Sequence, residues 1–332
     1  MQNVLAVISL NRIVNNARAL AREAQGKKLY AVVKDDAYGH GAAAVAHALE
    51  GAVSAFAVAT VDEGAALRTA GVNADILVLT PALCKEEAVR LSAYGLIASV
   101  SSRAALNVLL RANVKVRAHI SINTGMNRYG VKPALIDGVC RDCKAAGIQV
   151  EGVYSHYYCA ESTIARREQR RRFLTACAAV KQYFPNAERH ISASGGLLAG
   201  DEFDAVRVGI SLYGYPPAGF EDTLGLKPAL KIYATVAHSA KQIGGGAGYT
   251  CVRRNYGKLH TLRIGYGDGL FRESLHGAVG VLCMDAVVMR GGARFGRRKL
   301  VVSDVSAYAA SHGTTTYEAL LKLTQKAVKV YR

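Results

Sequence analysis

From residue 29 to residue 211 the chain alternates short β-branched, apolar runs with longer amphipathic stretches that stop at glycine or polar residues. Apolar runs of four to eight residues bounded by turn signals predict buried strands, and the intervening 3.6-residue periodicity predicts helices. Eight strands are expected, over 29–34, 56–60, 75–80, 97–100, 115–122, 150–156, 188–194 and 205–211. Stretches such as VDEGAALRTAG, KEEAVRLSAYG, SRAALNVLLRAN and PALIDGVCRDCKAAG are expected as the helices between them, several closed by a glycine suited to a left-handed cap. Repeated βα units of this number predict an α/β fold, a closed (β/α)8 barrel of the TIM type. After Gly225 the pattern changes to strand-like runs separated by glycine clusters (IYATVAHSAKQI, KLHTLRIGYG, GVLCMDAVVM), with one helical segment near 317–326. A C-terminal mainly-β domain is therefore expected. The strand-like segment 4–10 joins it, because it precedes the barrel's opening helix at 11–25. The expected boundaries are 11–224 for the barrel and 1–10 with 225–332 for the β domain.

Length and composition agree with a globular chain. With 332 residues, 51% of them hydrophobic, it can bury a large core. No apolar run is long enough to span a bilayer, and the first residues lack the basic start and small-residue cleavage site of a signal peptide, so no membrane association and a cytoplasmic location are expected. The seven cysteines are an odd number. Only Cys140 and Cys143 have CxxC spacing, and they fall in a helical pattern with no second pair, which favours ordinary helix cysteines over a metal or redox site. Lys and Arg outnumber Asp and Glu by 42 to 25, a net charge of +17. Such a surface attracts polyanions non-specifically. The densest run, RREQRRRF, has helical spacing without aromatic interleaving or a nucleic-acid motif and reads as a solvated helix face, so no specific nucleic-acid partner is expected.

In a (β/α) barrel the chemistry collects at the C-terminal ends of the strands. Lys34 ends the first, Arg128 follows the fifth, His156 ends the sixth, Ser194 ends the seventh, and Gly209 with Ile210 lies near the end of the eighth. Read alone, Lys34 could simply end a strand and extend its amine to water. Its position between the buried run LYAVV and a Tyr-Gly turn instead sets an amine where it can be desolvated for Schiff-base chemistry. Ser194, Gly195, Gly196 and Gly209 sit at the two strand ends where barrels commonly offer backbone N–H groups to phosphate.

The string AVVKDDAYGHG (31–41) closely resembles the cofactor-lysine signature of the fold-type III pyridoxal-phosphate alanine racemases. TGMNRYGV, EGVYSH, VRVGISLYG, LKPAL, GYGDG, CMD and TTTYE follow in the order shown by that family, so the resemblance covers essentially the whole chain. It implies pyridoxal 5'-phosphate as cofactor, a small amino-acid substrate, and a homodimer with shared active sites. The implied reaction interconverts L- and D-alanine, supplying D-alanine for peptidoglycan. By the same resemblance, Lys34 carries the cofactor and acts as base on one face, while Tyr249 from the second subunit acts on the other. Tyr38, Ser194, Gly209, Ile210 and Tyr317 are implied as phosphate contacts. Arg207 is implied to face the pyridine nitrogen, with His156 linking it to the tyrosine. Arg128 and the backbone N–H of Met284 are implied to bind the substrate carboxylate.

Three departures stand out. Asp35 and Asp36 replace the usual alanine-asparagine pair and add negative charge beside the amine. Ser121 stands where many members carry a carbamylated lysine bracing the arginine, and Asn123 where an aspartate is usual, so Arg128 must be held differently. The segment after CMD, AVVMRGGARFGRRKLVV, is compressed and basic. A serine or broader racemase, a fold-type III decarboxylase and a non-catalytic cofactor carrier remain as alternatives. The order of Tyr249, GYGDG and CMD, with the extra β domain, favours the racemase.

Overall fold

Parallel strands covered on both faces require near-continuous apolar runs, and the eight such runs of this chain pair accordingly. The computed structural model describes residues 4–201 and 203–332. Its strands are β1 (Val4–Ile8), β2 (Lys28–Val32), β3 (Ala55–Val58), β4 (Asp75–Val78), β5 (Ile97–Val100), β6 (Arg117–Ser121), β7 (Gln149–Tyr154), β8 (Glu188–His190), β9 (Ala205–Val208), β10 (Leu230–Lys241), β11 (Lys258–Leu262), β12 (Val287–Arg290), β13 (Arg298–Val302) and β14 (Val328–Tyr331). Strands β2 to β9 form one sheet in the order β8-β7-β6-β5-β4-β3-β2-β9, and every pairing in it is parallel. The sheet closes between β8 and β9 through a parallel bridge from Ala193 to Arg207. Bonds from Asp204 N to Arg189 O and from Arg207 N to Ser192 O, both 3.0 Å, complete the seam. This is the expected (β/α) barrel.

All eight expected strands are present, several ending short of the pattern. The run expected at 205–211 stops at Val208, because Ile210–Tyr213 turns as a 3-10 helix. The run expected at 29–34 stops at Val32, because the chain enters a left-handed turn at Asp35.

Strand side chains alternate between the two faces, and in this barrel the inward set is polar as well as apolar. Tyr30, Ser99, His119, Tyr154, His190 and Arg207 are all buried. They are linked by hydrogen bonds and ring contacts, among them Ser99 Oγ to Tyr154 Oη at 2.8 Å and Tyr154 stacked on His190 at 5.2 Å.

Contacts divide the chain into two compact units. One comprises Arg12–Ala37 with Ala42–Lys227; the other takes the N-terminal segment to Asn11, Tyr38–Gly41 and Pro228–Arg332. In the second unit a sheet runs β12-β11-β10-β1-β14, with β13 also pairing β10. Strand β1 is antiparallel to β10 and parallel to β14. The segment expected at 4–10 thus lies in this sheet as far as Ile8, while residues 1–3 of the expected β domain lie outside the described residues. Among the described residues this unit holds two α-helices, Val305–Ala310 and Thr316–Thr324, where the pattern predicts one. The first is too short to show a period and is set by its N-cap, Asp304, which accepts from the backbone N–H groups of Ser306 and Ala307. Among the described residues, no helix is long and apolar enough to cross a membrane.

Candidate active site

Lys34 stands two residues beyond β2, at the entry to an unusual turn. Asp35, Asp36, Ala37 and Tyr38 all have left-handed backbones, with φ of 52°, 53°, 56° and 54°. For residues with a Cβ this conformation costs roughly 1–2 kcal/mol each, so neighbouring groups must hold it. Glu63 does much of this. One of its carboxylate oxygens accepts from Asp35 N at 2.6 Å, and the other accepts from Ala59 N at 2.6 Å and Thr60 N at 3.2 Å. Ala37 N donates to Val33 O at 2.9 Å, and Asp36 Oδ1 accepts from Ala42 N at 2.7 Å. Asp35 turns a carboxylate oxygen to within 3.8 Å of Lys34 Nζ, whereas the Asp36 carboxylate is used within the turn. The lysine is therefore carried on a strained but tied segment.

Three cations act on one imidazole. Burial, together with Arg207, Arg128 and Lys34, pushes the His156 pKa down to about 3. Arg207 lies inside the barrel as a buried guanidinium held by neutral acceptors: Ser155 O at 2.6 Å, His190 O at 2.9 Å, Ile191 O at 3.2 Å, His190 Nδ1 at 2.7 Å and His156 Nδ1 at 3.3 Å. Its charge is stacked over the Tyr154 ring at 5.2 Å. Burial lowers even this guanidinium, to about 10.

Arg128 follows β6 on a turn built by Asn123, whose Oδ1 accepts from Gly125 N at 3.0 Å and Asn127 N at 3.2 Å. The turn is pinned below by Thr124, which is bonded to Ser155 Oγ at 2.8 Å and to Gln169 Nε2 at 2.9 Å. Asn123 thus shapes the loop that presents Arg128. Arg128 is exposed, with its guanidinium 5.9 Å from the Tyr129 ring. Ser121 is buried and bonded to the Tyr154 hydroxyl.

The phosphate-compatible positions also come together in the barrel unit. Ser194 opens the short helix Ser194–Leu198, Ile210 opens the 3-10 turn, and neither start is capped by a side chain. Gly209 N donates to Ser194 Oγ at 3.3 Å, which joins the two segments. In the β unit, Tyr38 and Tyr317 face each other with ring centroids 6.0 Å apart. Tyr249 bridges Val281 and is 66% exposed; Met284 is 55% exposed, and its carbonyl accepts from Gly267 N at 2.8 Å. The structure thus gathers Lys34, Arg128, His156, Ser194, Arg207, Gly209 and Ile210 in one unit, and carries Tyr38, Tyr249, Met284 and Tyr317 on the other.

Sequence reasoning missed His119, Glu188 and His190, which lie behind Arg207. The signal was available in RAHIS and ERHIS, where polar residues recur at every second position of a strand and therefore share the barrel's inner face. Cys140 and Cys143 are buried on the helix Ile136–Ala145, and burial raises both thiols to about 12. They are inert helix thiols.

With this geometry in view, the comparisons agree. The family model "Alanine racemase, N-terminal domain" matches residues 8–217. The chain belongs to the alanine racemase family. It is 33% identical over 314 residues to the alanine racemase of Mycobacterium avium, covering 86% of this chain and 80% of that one. It is 30% identical over 366 residues to that of Streptococcus uberis, covering 98% and 97%. Among solved structures, the alanine racemase from Streptomyces lavendulae superposes with a TM-score of 0.89 at 28% identity, covering all of this chain and 97% of that one.

Proposed function

We propose that this protein is a pyridoxal-phosphate-dependent amino-acid racemase that interconverts L- and D-alanine in the cytoplasm. The observation that carries the reading is one barrel unit that holds the amine of Lys34 before a left-handed turn, Arg207 bonded to His156 and the uncapped helix starts joined by Ser194 and Gly209. The donor set fits the cofactor: a primary amine on a rigid turn, two uncapped helix starts joined through Ser194, and a fixed guanidinium that offers only donors. When bound, pyridoxal phosphate supplies the electron sink that acidifies the hydrogen on the amino acid's Cα.

The chain's own residues then divide the work. Lys34 holds the cofactor and moves a proton at Nζ on one face of the substrate. Arg128 binds the substrate carboxylate with two N–H donors, assisted by the backbone N–H of Met284. Ser194, Gly209, Ile210, Tyr38 and Tyr317 hold the phosphate. Arg207, which has no lone pair to accept with, would offer the cofactor's ring nitrogen only N–H donors and so would favour its unprotonated form. Tyr249 of the partner subunit supplies the second base, on the opposite face, and His156 orients it. Tyr249 and Met284 are exposed on the β unit, which suits residues that complete the barrel of a second copy in a homodimer. The test is to load the purified protein with pyridoxal phosphate and follow L-alanine, L-serine and L-lysine by chiral chromatography. D-alanine as the main product supports the reading; carbon dioxide release or no turnover overturns it.

A further inference from the structure

Behind Arg207 a chain of polar side chains crosses the barrel interior to its opposite end. Arg207 Nη1 donates to His190 Nδ1 at 2.7 Å, and the other nitrogen of that ring, Nε2, lies 2.9 Å from His119 Nδ1. His119 Nε2 faces the Glu188 carboxylate at 4.0 Å. Glu188 in turn accepts from Lys28 Nζ at 2.7 Å and from the Tyr30 hydroxyl. Both histidines are fully buried, and the ring of His119 fits only because Gly152 has no side chain, since a Cβ there would meet the ring at 2.7 Å.

While the rings stay bonded, the guanidinium sets the direction of each link. A guanidinium has no lone pair to offer, so His190 Nδ1 must accept and, in a neutral ring, the proton is on Nε2. That N–H then donates to His119 Nδ1, which leaves the second proton on His119 Nε2, pointing at the carboxylate. At 4.0 Å this last link is a charge facing an N–H dipole rather than a hydrogen bond. His119, Glu188 and His190 have the spacing of a metal site, but the accepting lone pair of each ring is already used within the chain, so a cation would first have to break it.

We propose that Glu188 is a positioning residue which, through His119 and His190, fixes the orientation of Arg207 at the active site. Arg207 dictates the tautomers of the bonded rings, and the carboxylate, facing the outer N–H of His119, holds that ring in the bonded arrangement, so that His190 keeps its one acceptor on the guanidinium and locks its plane. The catalytic consequence rests on the proposed racemase reading, whereas the tautomer order does not.

The experiment is nitrogen-15 NMR of the histidine-labelled protein at pH 7, which needs neither cofactor nor substrate. Both rings should be neutral and protonated at Nε2 only. A protonated ring, or a proton on Nδ1 of His190, overturns the proposal. In Glu188→Gln, a near-isostere without the charge, His119 should leave the bonded arrangement part of the time and show mixed tautomers. In the cofactor-loaded enzyme the same substitution should lower kcat for alanine about tenfold, with KM changed less than about twofold, and Glu188→Asp should recover part of the loss. Unchanged tautomers and unchanged kcat in Glu188→Gln would also overturn the proposal. If the wild type shows the tautomers but does not racemise alanine, the racemase reading fails and the hydrogen-bond order stands.

Discussion

The guanidinium of Arg207 donates to Nδ1 of His156 at 3.3 Å. His156 is neutral at ordinary pH, with its pKa pushed down to about 3 by burial and surrounding cations, so its proton resides on Nε2. That N–H is the atom that would meet the phenolic oxygen of Tyr249 in the proposed dimer. His156→Leu, which removes it, is expected to lower kcat by about tenfold to a hundredfold, because a base whose oriented state is lost is used less often. Deuterium incorporation from heavy water should become unequal between recovered L- and D-alanine, since only one of the two bases is affected. Equal incorporation with unchanged kcat would remove His156 from the catalytic arrangement.

Arg207 satisfies five acceptors at once. A lysine keeps the charge but has three donors on a flexible stem and cannot reproduce the planar fork. Arg207→Lys should therefore leave buried carbonyls of Ser155, His190 and Ile191 short of donors and cost about 3–5 kcal/mol of stability. Urea denaturation should show a lower midpoint with an unchanged slope. A midpoint within error of the wild type would mean that the fork is not structurally required.

Much of this arrangement was legible in the chain, and the reason is local. Lys34, Arg128, His156, Ser194 and Gly209 are each placed by a strand end, and strand ends are marked by hydrophobic runs meeting glycine or polar turns. The left-handed run from Asp35 to Tyr38 was not legible, because Asp visits that region only as single residues and Ala and Tyr seldom do; Glu63, 28 residues later, helps hold it by accepting from Asp35 N. The same holds for Glu188. Its neighbours in sequence describe a strand, while its neighbours in space, Lys28, Tyr30 and His119, come from strands far apart in the chain. Tertiary closure of the barrel, which no local pattern encodes, brings these residues together.

The two innermost histidines make acid stability steep. His119 is lowered to about 3 and His190 well below its ordinary value, in both cases first by burial and next by Arg207. In the unfolded chain each binds a proton below about pH 6.5, whereas the folded protein does not until much lower pH. The neutral rings' stabilising contribution is therefore complete above about pH 6.5 and is lost as pH falls toward 3. With His156, also lowered to about 3, three protons are taken up on unfolding, which corresponds to a slope of about 4 kcal/mol per pH unit between roughly pH 4 and 6. Carboxylates held low by arginines, Asp75 and Asp204 among them, add to the slope in the same direction. Urea titrations at several pH values measure it. His119→Asn should lower the slope by about one proton, or about 1.4 kcal/mol per pH unit, and an unaltered slope would show that His119 is protonated in the folded state.

The assignment of the second base to a second chain has a decisive test in subunit mixing. Lys34→Ala removes the amine from the barrel, and Tyr249→Phe removes the phenol from the β unit. Each variant alone should be inactive or nearly so, and the Phe variant should still bind pyridoxal phosphate because it keeps the amine. If Lys34 of one chain works with Tyr249 of the partner subunit, a mixed dimer has one site with both defects and one with neither. Equal amounts of the two variants, exchanged to equilibrium, should then form mixed dimers as about half of the population, and each of these has one intact site of two. Activity should recover to about a quarter of the wild-type value, the statistical result for closed two-fold pairs. If each site is instead built within one chain, every site in the mixture retains one defect and no activity returns. Exchange itself is followed independently by mass-tagging one variant, so that a mixture in which tagged and untagged chains pair without recovering activity would overturn the shared site.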